Sequence, residues 1–215
     1  MVGNSVEPRQ PNGMPEVYGV TQAGHHNTNI AHAEQVHMPV MILPTQLSRN
    51  ASPGSAPRLD PSCYHLFVIA GEDFSTGRFL VNSTRALTEH TSDELKKRYQ
   101  HLESADIDKL KNFPALFMDE NAEIVRALPD QLARWGYLTD IRVQDNGIRI
   151  AFNTVMTVPQ QCLNDNSHHF GIQAYGRMSE LNRTHWALKR VNLFEAFNDA
   201  GINYLPYETI QGGVS

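Results

Sequence analysis

The chain has 215 residues, 40% of them apolar and 19% charged, with a net charge of −5 and a pI near 6.0. That length supports one domain with a genuine core, and that charge excludes the broad positive field with which a general nucleic-acid binder collects phosphates, so nucleic acid is disfavoured as a partner. No apolar run approaches the roughly 20 residues of a membrane-spanning helix, the opening residues Met1 to Ser5 lack a secretory signal, and Cys63 and Cys162 are too few for a disulfide scaffold; the expectation is a cytoplasmic protein, without a membrane role, carrying two free thiols.

Eight of the twelve prolines precede Cys63, mixed with Gly, Ser, Asn and Gln. Such a segment buries too little apolar surface to offset the entropy of ordering it, which predicts a flexible tail over 1–62 and a globular domain over 63–211. Within the tail, 21–44 is rich in amides and imidazoles and runs into the apolar stretch Val40 to Leu43. Two readings stand: a recruitment or self-assembly segment in which amides ladder between stacked strands, or a linker in which Pro39 and Pro44 guard against aggregation. His25, His26, His32 and His37 add potential metal donors, but no acidic or thiol partners accompany them on a fixed scaffold.

From Cys63 onward the patterns are regular. Tyr64 to Ala70 reads as a buried strand, and Gly77 to Asn82 as its hairpin partner. Thr91-Ser92-Asp93-Glu94 has the form of a capping box, with Leu95, Tyr99 and Leu102 on one face of the helix that follows. A shorter helix is predicted over Ala105 to Asn112, ended by Pro114, and then a strand over Ala115 to Met118.

Gly136 to Val143 and Ile148 to Phe152 form the clearest hairpin, with Tyr137, Ile141 and Val143 on one face and Asn146-Gly147 at the turn. Met156 to Val158 extends the second strand. A last helix runs from Leu193 to Ala200, capped by Asn192. Strands and helices without strict alternation predict an α+β domain with antiparallel hairpins and flanking helices, its central strands curling into a small partly open β-barrel.

No phosphate-cradling loop, dinucleotide fingerprint, nucleophile elbow or zinc-helix motif occurs. No cofactor is expected and no catalytic residue is assigned. Arg183, His185, Trp186 and Lys189 form the candidate ligand-binding group, since cationic side chains beside an aromatic platform suit a small anion. His168 and His169 with His185 offer three imidazoles for an open zinc site, although neighbours on a strand point to opposite faces. Asp119, Glu120 and Glu123 offer carboxylates for a hard cation, or simply a solvated loop.

Leu110 to Met118 and Glu180 to Lys189 resemble stretches of uncharacterised bacterial proteins associated with conflict and antiviral defence, and Gln22 to Ile30 is similar to amide-rich segments preceding signalling domains there. The resemblance implies an adaptor or sensor and carries no catalytic residue. The resulting expectation is a non-enzymatic interaction or sensing module whose tail recruits a protein partner or self-assembles. The alternative is a metal-dependent or histidine-based hydrolase of a nucleotide or phosphoester, using Arg183, His185 and one of His168 or His169.

Overall fold

The computed structural model describes residues 58–204 apart from 88, 176 and 177. The 21–44 segment with its recruitment and assembly readings, and the C-terminal residues from 205 on, lie outside the described residues.

Strand β1 (Tyr64–Val68) is buried along its whole length, as its unbroken apolar run requires of a central strand. A 3-10 turn leads into β2 (Arg78–Val81), whose alternating exposure marks one covered and one solvent-facing side. Helices α1 (Asp93–Tyr99) and α2 (Ser104–Leu110) precede β3 (Pro114–Met118). The long hairpin of β4 (Leu132–Gln144) and β5 (Gly147–Pro159) leads to α3 (Gln160–Asp165). After the small pair β6 (Ala174–Tyr175) and β7 (Met178–Ser179) come β8 (His185–Lys189) and α4 (Leu193–Asp199).

Six strands form one mixed sheet in the order β2-β5-β4-β3-β1-β8, curled into a half-barrel of α+β class. Only β1 and β3 run parallel, because α1 and α2 fill the crossover between them. The curl brings the two edges toward each other: Ala86, just past β2, bridges Trp186 in β8, and Leu87 N–H donates to the Trp186 carbonyl at 2.7 Å.

The sheet separates two cores. One face carries Phe67, Phe79, Phe117, Phe152 and Trp186 and is covered by Leu95, Tyr99 and Leu110 from α1 and α2. The Phe67–Phe117 and Phe117–Phe152 rings stack at 5.4 and 4.2 Å, and pairs of this kind contribute about 0.5–1.5 kcal/mol beyond their buried area. The other face carries Leu66, Leu116, Trp135 and Met156 against α3 and α4, through Leu163, Leu193 and Phe197.

Three local expectations change. The strand over 78–81 pairs with β5, not with β1, because β1 is occupied on both sides by β3 and β8. Tyr137 and Ile141 pack into different cores and Val143 is exposed: a register irregularity between Leu138 and Asp140 switches the strand's faces. The connection at the hairpin tip is Asp145-Asn146, with Gly147 already paired to Gln144 at φ 142°. A side chain at Gly147 would meet the Val81 carbonyl at 2.6 Å, so glycine is needed where β5 passes β2.

The capping box is also replaced. Ser92, not Thr91, is the N-cap of α1, and it makes no side-chain cap bond. The buried Thr91 hydroxyl instead accepts from Leu188 N–H at 2.9 Å, satisfying a donor on the outer edge of β8 beyond the Ala86 bridge. Replacing Thr91 by valine keeps the shape and strands that donor, at a cost of about 1–3 kcal/mol. Urea unfolding should show a lower midpoint with an unchanged slope, whereas Ser92→Ala should leave the midpoint in place.

Candidate functional site

Strand alternation on β8 sends Trp186 and Leu188 to the first core and His185, Ala187 and Lys189 to the other side. Of the four predicted site residues, His185 and Lys189 therefore come together. Trp186 does not join them: it is buried on the opposite face, stacked 5.2 Å from Phe67, and its indole N–H donates to His65 Nδ1 at 3.0 Å. Arg183 lies at the exposed rim, paired with Glu89 at 3.0 Å.

Glu180 joins His185 and Lys189. It opens the 3-10 turn Glu180–Asn182 and is clamped across the β6–β7 hairpin by reciprocal bonds with Gln173: Glu180 N–H donates to the Gln173 carbonyl, and Gln173 N–H donates to Glu180 Oε2, both at 2.8 Å. Its carboxylate is sealed from water and accepts from Lys189 Nζ at 2.7 Å. His185 Nε2 lies 3.0 Å from Oε1, while Nδ1 donates to the Arg183 carbonyl at 2.7 Å. Burial pushes the Glu180 carboxyl up, but the His185 contact, the Lys189 charge and the Gln173 N–H outweigh it and hold it below the usual carboxylate range. Burial likewise draws the Lys189 ammonium down, opposed by Glu180.

His90 completes the cluster from the segment ahead of α1. Its ring lies 4.7 Å from that of His185, and Nδ1 is 3.3 Å from Gln173 Oε1 and 4.0 Å from Glu180 Oε2. Burial lowers its pKa, with Glu180 pulling the other way. His90, Ser92, Gln173, Lys189 and Arg190 line a cleft of about 250 Å³ that meets the cluster at His90, Gln173 and Lys189. Arg190 is held at 3.0 Å by Glu94, so both cations of the cleft, like Arg183 beside it, already have carboxylate partners.

The other predicted groups are placed elsewhere. His168 and His169 stack on each other at 3.9 Å, and His169 faces Asp199 at 3.8 Å; the histidine that meets His185 is His90. The carboxylates of 119–123 serve the loop itself: Asp119 accepts from Gly71 and Glu120 N–H groups, Glu120 accepts from the Thr184 hydroxyl, and Glu123 faces Arg126. Cys63 and Cys162 are free thiols, both pushed up in pKa by burial.

Sequence reasoning missed Glu180, His90 and Gln173. The β8 alternation was available to separate Trp186 from its neighbours, but nothing in the spacing announces a histidine 95 positions before His185. No family model, curated protein or solved structure matches the chain.

Proposed function

We propose that the chain works as a non-enzymatic interaction or sensing module, in which the α+β domain holds a small polar or singly anionic ligand in the cleft lined by His90, Gln173 and Lys189 and the N-terminal segment recruits a partner or self-assembles. The observation that carries this reading is that the buried pair of the cluster, His185 and Glu180, is engaged within the protein and does not line the cleft. His185 has both ring nitrogens engaged, and both Glu180 oxygens accept hydrogen bonds. A hydrolase using His185 as its base needs that ring within reach of a bound substrate, and His185 is buried and does not line the cleft. A cleft of this size suits a small acid or the polar group of a larger ligand. Bacterial defence or signalling is the setting we propose, on the resemblance in 110–118 and 180–189.

Calorimetric titration of the full chain with phosphate, small carboxylic acids and nucleoside monophosphates tests the cleft. One of these probes should bind, and Gln173→Ala should weaken it about tenfold, the loss of one well-placed hydrogen bond to a charged group. Absence of binding by every probe removes the ligand half. Deleting residues 1–57, which spares Leu59 on the second core and the Asp60 N–H bond to the Asn112 carbonyl, should abolish partner association while leaving thermal unfolding of the domain nearly unchanged; a truncated chain that keeps every association removes the recruitment half.

A further inference from the structure

The geometry points to a binding site for one divalent first-row transition ion, of the zinc and cobalt type, held by His90, Glu180 and His185 with its remaining position facing the cleft. These three side chains come from three separate segments, and their donor atoms lie within 4.8 Å of one another. The His185 contacts carry the argument furthest. A backbone carbonyl can only accept, so the 2.7 Å contact with the Arg183 carbonyl places a proton on Nδ1 and fixes the ring. An imidazole that donates its far N–H to a carbonyl presents its other lone pair to a metal in a defined direction. That lone pair, on Nε2, is aimed at a carboxylate oxygen 3.0 Å away. Two acceptors attract only through a shared cation, which is either a proton or a metal ion.

The spacing permits the metal. With bonds of about 2.0–2.2 Å to nitrogen and oxygen, neighbouring ligands of a tetrahedral ion sit roughly 3.3–3.6 Å apart, so the 3.0 Å between Nε2 and Oε1 has to open by only a few tenths of an ångström. The His90 ring is half-buried and tied only through the longer Gln173 contact, so its rotation closes the remaining 4.0 Å to Glu180. Two imidazoles and one carboxylate select a borderline ion over magnesium or calcium, which take oxygen ligands. Three protein ligands leave a position open, and the cleft that His90 and Lys189 line supplies both the entry path and room for a fourth ligand. Lys189 is the competitor. Its ammonium holds both carboxylate oxygens at 2.7 Å, and on metal binding it must release one of them and swing into the cleft its side chain already borders.

The site is independent of what the cleft recognises, since metal content reads out whether or not a ligand binds there. Full-length chain stripped with a chelator, loaded with cobalt(II) chloride and desalted should retain one ion per chain and show the visible absorption of a low-coordinate cobalt centre. His90→Ala, a substitution at a half-buried position, should weaken retention about a hundredfold. A variant with His25, His26, His32 and His37 all changed to alanine should retain the ion like the wild type. Metal-free chain after desalting overturns the assignment and leaves a proton between His185 and Glu180. So does retention that survives His90→Ala, or that is lost with the four N-terminal histidines.

Discussion

Glutamine in place of Glu180 will lower the stability of the chain by about 3–5 kcal/mol, the range for breaking a buried ion pair by removing one partner. The side chain keeps its size, so the loss comes from charge and hydrogen-bond polarity. Glu180 receives Lys189 Nζ, the Gln173 N–H and the His185 contact on two oxygens, and it is fully sealed from solvent. An amide offers one accepting atom and one donating atom, so one of these contacts becomes donor against donor while Lys189 keeps its charge in a dry site. Urea unfolding of the full chain at pH 7 measures the loss, and the melting temperature should fall by about 10 °C. Adding Lys189→Met to Glu180→Gln should restore more than half of it, because the stranded cation is then gone. A single substitution costing under about 1 kcal/mol would mean that water reaches the cluster and screens it as it screens an exposed pair.

The same cluster shows what one sequence reveals and what it withholds. Where a residue's role depends on its immediate neighbours, the pattern was legible: the Asn192 cap of α4 and the apolar spacing of Leu95 and Tyr99 that turns α1 inward appear as read. The α+β class follows from the same local periodicities, and so does the curl, from several short strands without strict β-α-β alternation. What failed was partner choice over distance. The 78–81 strand pairs across 70 positions with 148–151, because β1 had better partners on both sides, and no turn signal encodes that competition. Thr91 looks like a cap from its neighbours alone, yet its hydroxyl is taken by Leu188, 97 positions away. The site is the extreme case: His185 and Lys189 share a strand face and were legible together, while His90 and Gln173 reach them only through the fold. Trp186 illustrates the opposite error, adjacency in sequence taken for adjacency in space, when a strand sends neighbours to opposite faces.

A fall in stability of about 3 kcal/mol between pH 7 and pH 4 is expected from His65 alone. Both neighbours of its buried ring dictate the neutral form. Nε2 donates to the Leu110 carbonyl at 2.8 Å, and Nδ1 accepts from the Trp186 indole N–H at 3.0 Å, so a second proton would have to displace that donor. Burial lowers its pKa from 6.5 to about 4, against the smaller opposing effect of the Leu110 bond. The folded value is the depressed one, so below pH 6.5 the unfolded chain binds a proton that the folded chain refuses. The contribution is complete above 6.5, falls as the pH drops, and levels off near 4, where the folded ring also protonates. Lowered His90 acts in the same direction, and the Glu180 carboxylate begins to lose its contribution as the pH falls through the ordinary carboxylate range, so a histidine substitution separates these sources. His65→Phe fills the same space among Phe67, Phe113 and Trp186 but leaves the Leu110 carbonyl and the indole N–H unpaired. At pH 7 it should cost about 2–4 kcal/mol; at pH 4 its stability should approach that of the wild type, because the ring that acid attacks is absent. Parallel curves of stability against pH for the two chains, with a constant gap from 7 to 4, would show that His65 takes up its proton in the folded state as readily as in the unfolded one.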